Sequence, residues 1–327
     1  MKFSKDGTQL ISVNADGSLH LWNVDTGRYE LSCSLGEHTE WTSALTFSAD
    51  SKYLISNNAL EERARVWSVE TFTQHTILTP PQDVIGLTFS PDLKKLAGRQ
   101  FLGGIQVWDA ATKEHLSTLE GADRGFDYWP LIFSPDGKIL AGKGVIRNLG
   151  NEIQFWQTDT GAKLFTLEGH TGVVSKYTFS PDSKIFASGG EDGSVVLWDV
   201  QTGIRLLNLK GHTQHLHALT FSADSKTLAS GSKNEIRLWD VQTRNLIGTL
   251  DAVENVNALA FSPDGKTLVS GSADGLIQVW KPDLDYQLQT TLTGHQESVY
   301  VLMFSPDGKT LASGSADGTI LLWDMKQ

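Results

Sequence analysis

Histidine, serine and aspartate recur at matched positions along the chain. His170, Ser188 and Asp192 form one set and His295, Ser313 and Asp317 another, each followed by a tryptophan, Trp198 or Trp323. A serine oxygen, an imidazole and a carboxylate are the groups of nucleophilic hydrolysis, so a hydrolase is the first chemistry they raise. His215 and His217 stand two apart, which on a strand puts both rings on one side and makes half a metal site. Two ligands fall short of what a bound zinc requires. The sequence contains no His-Glu-x-x-His, no Gly-x-x-x-x-Gly-Lys-Ser/Thr, no Gly-x-Ser-x-Gly and no calcium-loop run of alternating acids. No metal and no cofactor is expected. Cys33, the one cysteine, rules out an internal disulfide and a four-thiolate zinc site.

These residues belong to a repeat. Phe-Ser-x-Asp begins at Phe3, Phe47, Phe89, Phe133, Phe179, Phe221, Phe261 and Phe304, at spacings of 44, 42, 44, 46, 42, 40 and 43. About nineteen residues after each Phe stands a tryptophan: Trp22, Trp67, Trp108, Trp156, Trp198, Trp239, Trp280 and Trp323. Eight of the ten tryptophans therefore occupy one periodic position. Within a repeat, short apolar strands alternate with turn residues. In the last, Val299 to Phe304 reads as a strand, Ser305-Pro306-Asp307-Gly308 as a turn, and Thr310 to Ser313 as a second strand. Ala316-Asp317-Gly318 is a further turn, before a third strand from Thr319 to Trp323. Earlier repeats add a fourth strand, such as Ile204 to Leu209. Four short antiparallel strands per repeat without helical periodicity predict an all-β, β-propeller fold.

The motifs resemble those of the WD-repeat (WD40) family along essentially the whole chain. Gly169-His170, Phe179-Ser180-Pro181-Asp182, Ala187-Ser188-Gly189, Asp192-Gly193 and Leu197-Trp198-Asp199 stand in the family's order. The resemblance implies a non-catalytic protein-interaction scaffold. It also implies that His170, Ser188, Asp192 and Trp198 form a hydrogen-bonded structural tetrad rather than a catalytic site, as do His295, Ser313, Asp317 and Trp323. The seventh repeat keeps Ser270, Asp274 and Trp280 but has no histidine. The sixth has His212, Ser230 and Trp239, with Lys233-Asn234 where the aspartate turn belongs.

Eight blades of four strands, forming one domain over residues 1–327, is the favoured count. Seven closed blades plus an N-terminal extra hairpin is the alternative, with the strand near Tyr29 to Leu35 pairing onto Ile320 to Trp323. In the eight-blade count one strand is short at each end, so the chain is expected to come from something longer. A regulatory or sensor propeller excised from a larger signalling protein is therefore a second functional expectation, and a propeller-type enzyme a third.

With 27 basic against 38 acidic residues the chain carries a net charge of −11, which argues against a duplex nucleic-acid surface. The start has no signal-like apolar stretch, no run approaches a membrane span, and no Asn-x-Ser/Thr sequon occurs. A soluble, cytoplasmic protein with a protein or peptide partner, but no nucleic-acid or membrane partner, is expected.

Where the repeat breaks is informative. The second to fourth repeats depart from the pattern in two kinds of loop, both predicted on the top rim of the disc. Asn57 to Arg63, Arg99 to Gly104 and Lys143 to Asn151 lie between second and third strands; Thr79 to Asp83 and Gly121 to Trp129 precede inner strands. They carry Arg63, Arg99, Phe101, Arg124, Phe126, Tyr128, Trp129 and Arg147, residue types that anchor interfaces. Positions six and four before each Phe are predicted at the channel mouth on the same face, among them Trp41, His215, His217 and Tyr300. Together these are the expected partner-binding residues.

Overall fold

The computed structural model describes residues 1–13, 18–26, 29–34, 42–47, 53–58, 64–68, 74–78, 84–100, 104–112, 114–119, 131–143, 151–209, 211–282 and 286–325. Their regular structure is all β, in antiparallel sheets whose strands follow chain order. The fifth repeat is representative, with strands Val174–Phe179, Ile185–Gly190, Val195–Asp199 and Arg205–Leu209 side by side. Among the described residues, the first seven repeats each supply four strands' worth of pairing and the eighth supplies three. The chain forms two compact bodies, residues 1–168 and 169–327.

Two of these sheets merge, for a reason the sequence shows. Where other repeats have Gly-His between the outer strand and the next inner strand, the seventh has Asp251-Ala252. Lacking the break, the chain stays extended from Leu246 to Phe261 and joins the sixth and seventh repeats into one six-stranded sheet. The hairpin in Thr227–Asp240 is equally continuous, and turns at Asn234 with φ of 60°.

The Phe-Ser-x-Asp motif builds the turn after each inner strand. In the fifth repeat the Ser180 hydroxyl donates to Asp182 Oδ1 at 2.6 Å and accepts the Ile185 N–H at 2.9 Å. Asp182 Oδ1 takes the Lys184 N–H. The same clasp joins Ser4 to Asp6, Ser90 to Asp92, Ser134 to Asp136, Ser222 to Asp224, Ser262 to Asp264 and Ser305 to Asp307, all at 2.6–2.7 Å. The serines are buried, so each hydroxyl satisfies groups that would otherwise lack partners. The next residue sits in the left-handed region: Gly7, Gly137, Gly265 and Gly308, but also Leu93, Ser183 and Ser225.

Three closing tryptophans pack on the repeat before their own. Trp156 joins the cluster of Ile105, Val107 and Leu119; Trp239 joins Val195, Leu197 and Leu209; Trp280 joins Ile236, Leu238 and Leu250. A second coupling runs the other way. A Cβ on Gly189 would lie 2.1 Å from Leu216 Cδ2, and one on Gly231 or Gly271 would lie 2.6 Å from Val256 or Val299. Each glycine leaves a notch in which the next inner strand seats a buried aliphatic side chain. Burial of these side chains couples the repeats concerned to their neighbours.

Candidate functional site

The two complete histidine sets come together in space. In the fifth repeat His170 Nε2 lies 2.8 Å from Ser188 Oγ and Nδ1 lies 3.1 Å from Asp192 Oδ2. Trp198 Nε1 donates to the same Ser188 Oγ at 2.9 Å. In the eighth, His295 meets Ser313 at 2.7 Å and Asp317 at 3.1 Å, and Trp323 Nε1 donates to Ser313 at 2.8 Å. The network assigns a direction to each proton: indole N–H to serine oxygen, serine O–H to imidazole Nε2, and imidazole Nδ1–H to carboxylate.

Serine, histidine and aspartate at these distances have the outline of a nucleophilic triad. Access separates them from one. Ser188 is 0% exposed and His170 5%, and the serine oxygen already accepts the Trp198 indole. No substrate carbonyl can reach it. The electrostatics fit a structural role. Burial lowers the His170 pKa from its ordinary value despite the opposing pull of Asp192, so the ring is neutral at neutral pH. For Asp192 burial pushes upward, but hydrogen bonds from Ser194 and the Thr171 N–H outweigh it and hold the carboxyl low.

The sixth repeat supplies a residue that the motif reading missed. His212 Nε2 contacts Ser230 Oγ at 2.7 Å, Trp239 Nε1 donates to that oxygen at 2.9 Å, and His212 Nδ1 lies 2.6 Å from Glu235 Oε1. Glu235 takes the place of the missing aspartate. The signal was one residue past Lys233-Asn234: a shorter turn compensated by a longer acid. In the seventh repeat Trp280 still donates to Ser270, with Ala252 buried where the histidine would stand. In the first, Trp22 donates to Ser12 at 3.0 Å. The third and fourth repeats carry Gly98 and Gly142 in place of the serine. Trp108 is 1% exposed and its Nε1 is left without an acceptor.

Of the expected partner-binding residues, Trp41, Arg63, Phe101, Arg124, Phe126, Tyr128, Trp129 and Arg147 lie outside the described residues. Arg99 lies on the strand Lys95–Gln100 and is 8% exposed. It stands where later repeats have their notch glycine, as does the buried Lys143. His215 and His217 precede the strand Ala218–Phe221 rather than lying on one, yet their rings share a side, with centroids 4.7 Å apart and planes 8° from parallel. Tyr300 is 59% exposed. Among the described residues no group of three or more His, Cys, Asp or Glu could hold a metal ion, and no helix is long and apolar enough to cross a membrane.

Four-stranded antiparallel sheets, docked on their neighbours through a tryptophan in the fourth, sixth and seventh repeats and through a notch glycine in the fifth to seventh, define a β-propeller. A model of the WD domain G-beta repeat matches residues 1–23 and 286–324, and one of the IFT122 first beta-propeller matches residues 127–287. The chain belongs to the WD-repeat family. Periodic tryptophan protein 2 of Arabidopsis thaliana is 34% identical over 217 residues, covering 53% of this chain and 23% of that protein. Apoptotic protease-activating factor 1 of Homo sapiens is 26% identical over 55% of this chain and 14% of its own length. Serine-threonine kinase receptor-associated protein of Gallus gallus is 26% identical over 60% and 53%. The match thus spans from about a seventh to about half of these relatives. Among solved structures, the computationally designed Ika8 protein superposes with a TM-score of 0.81 at 28% identity, over 99% of this chain and 95% of that one.

Proposed function

We propose that the chain is a single eight-bladed, non-catalytic scaffold that grips a protein or peptide partner on its top face. Ser188 carries this reading. The chemically suggestive set is buried and its serine oxygen is occupied by an indole, so the histidines, serines and aspartates hold blades together. Residues that depart from the repeat remain for recognition. In residues 1–168 these are Trp41 and the altered loops with Arg63, Phe101, Arg124, Phe126, Tyr128, Trp129 and Arg147, Arg99 being left out because it is buried on its strand. In residues 169–327 they are the inner-strand approaches with His215, His217 and Tyr300. Aromatic and guanidinium groups without a blade-building role are the usual anchors of interfaces. The compartment proposed is the cytoplasm.

The test is a triple substitution, Arg124→Ala, Phe126→Ala and Trp129→Ala. It should abolish capture of the main partner while leaving Tm nearly unchanged. An unfolded triple variant, or undiminished capture, would place the interface elsewhere. A second reading, a regulatory array within a longer protein, is favoured by the small share of their length that relatives such as apoptotic protease-activating factor 1 give to the match.

A further inference from the structure

Three of the described histidines, His170, His212 and His295, each hold an acid. His215 and His217 differ. Among the described residues no carboxylate pairs with either ring, nor with Lys176 on the neighbouring strand Val174–Phe179. In a chain of net charge −11, two stacked imidazoles with a lysine on the next strand and no acid of their own are unexpected.

Their backbone is fixed from several sides. Leu216, between the two histidines, is 0% exposed and fills the notch over Gly189. Its carbonyl accepts the Ser175 hydroxyl at 2.8 Å and its N–H donates to Gly190 O. The His215 carbonyl accepts the Ser232 hydroxyl at 3.0 Å, and the His217 N–H donates to Gly231 O at 2.9 Å. Segment 215–217 is therefore rigid although it forms no strand, and it presents two parallel imidazoles 4.7 Å apart. Burial, then His215 and Lys176, lower the His217 pKa, so each disfavours a proton on that ring, and an anion beside the rings would act the other way. The backbone that carries the two rings is already held, which lowers the ordering cost of binding.

We propose that Lys176, His215 and His217 form a docking point for an acidic peptide, one side-chain carboxylate of which sits against the three. This rests on the scaffold reading above and names the chemistry of one partner segment. Lysine and imidazole can hold a carboxylate or a phosphate, so the experiment carries an arm for each anion.

The experiment uses the full chain and a fluorescein-labelled ten-residue peptide containing three glutamates, with glutamine and phosphoserine counterparts, read by fluorescence anisotropy at low salt. The glutamate peptide should bind at least tenfold tighter than the glutamine peptide. His215→Ala with His217→Ala, and separately Lys176→Gln, should each weaken it at least fivefold. Lys226→Gln, on an exposed turn, should leave it unchanged, with folding of every variant checked by circular dichroism. Equal binding of the glutamine peptide, or undiminished binding by the Lys176→Gln variant, overturns the proposal. Tighter binding of the phosphoserine peptide overturns the carboxylate assignment. Should the peptide fail while the Arg124/Phe126/Trp129 variant still loses its partner, the scaffold reading stands and the docking point falls. If that variant keeps its partner as well, both fall.

Discussion

Glu235 Oε1 lies 2.6 Å from His212 Nδ1, holding in the sixth repeat the position that Asp192 and Asp317 hold beside His170 and His295. The turn there is tighter, so the acid starts farther away and needs its extra methylene to arrive. Glu235→Ala should leave the buried imidazole N–H unpaired and cost about 1–3 kcal/mol. Glu235→Gln should recover most of that, because the amide oxygen can still accept. Chemical denaturation of the three proteins separates these outcomes, and an Ala variant as stable as the parent would show that the contact contributes nothing.

Ser188 serves two partners with one oxygen. Ser188→Ala removes the acceptor of the Trp198 indole and the donor to His170 together, and should destabilise by roughly 2–4 kcal/mol. Trp198→Ala should cost about 3–5 kcal/mol, since a side chain 2% exposed leaves a cavity. Both losses are expected as lower denaturation midpoints. Retained stability with loss of a chemical activity in Ser188→Ala would revive the hydrolase interpretation.

The fold was legible because its causes are local. Phe-Ser-x-Asp specifies the clasp between Ser180 and Asp182 within three residues, and the tryptophan period counts the repeats. Tetrad membership was legible where the motif is intact, as with His170 and His295. It failed at Glu235, since motif matching compares residue types at fixed spacing, whereas a hydrogen bond requires only that the oxygen arrive. The long extended run through Asp251 and Ala252 was written in the lost Gly-His pair, yet its result, two repeats sharing one sheet, depends on pairing with Lys233 and Glu235 across the ladder. The clamp on His215 and His217 was not legible at all. It comes from Ser175 and Ser232, which are distant in sequence and ordinary in type.

Acid should weaken the protein in two stages. His170 and His212 have folded pKa values lowered chiefly by burial, below the ordinary value of about 6.5. A group of this kind takes up a proton more readily when unfolded. Its contribution is whole above pH ~6.5 and is lost as pH falls through the folded value. The clasp aspartates follow the same sign lower down. The Ser305 hydroxyl and Lys309 N–H push Asp307 down to about 2, so its share is whole above pH ~4 and disappears toward that value. Tm should therefore drop between pH 7 and 5 and again below pH 4. Replacing both histidines by asparagine should flatten the first drop and leave the second; an unaltered upper drop would assign it to other groups.

Gly265 isolates backbone strain from packing. Its φ is 72° and a Cβ added there would meet no heavy atom within 4 Å. Gly265→Ala should cost about 1 kcal/mol from the left-handed conformation alone, and Gly265→Asn less, because asparagine tolerates that region. Equal stability of the glycine and alanine proteins would mean that the turn relaxes freely.

Trp108 offers the reverse experiment, in which a substitution should strengthen the protein. Its indole nitrogen is buried without an acceptor because Gly98 stands where Ser188, Ser230, Ser270 and Ser313 each receive a tryptophan N–H. A buried donor left unpaired costs about 1–3 kcal/mol. Gly98→Ser places a hydroxyl on the same strand position and should regain about 1 kcal/mol. Gly98→Ala, the control, adds the carbon without the oxygen and reports the effect of the strand glycine alone. Gly142→Ser in the fourth repeat should fail to match it. There the new Cβ would fall 2.5 Å from Leu131 Cδ2, so that side chain would have to move out of a packed cluster. The decisive quantity is the stability difference between Gly98→Ser and Gly98→Ala. If the serine protein is no more stable than the alanine protein, the Trp108 N–H is not donating to the new hydroxyl as the tryptophans of the other repeats donate to theirs.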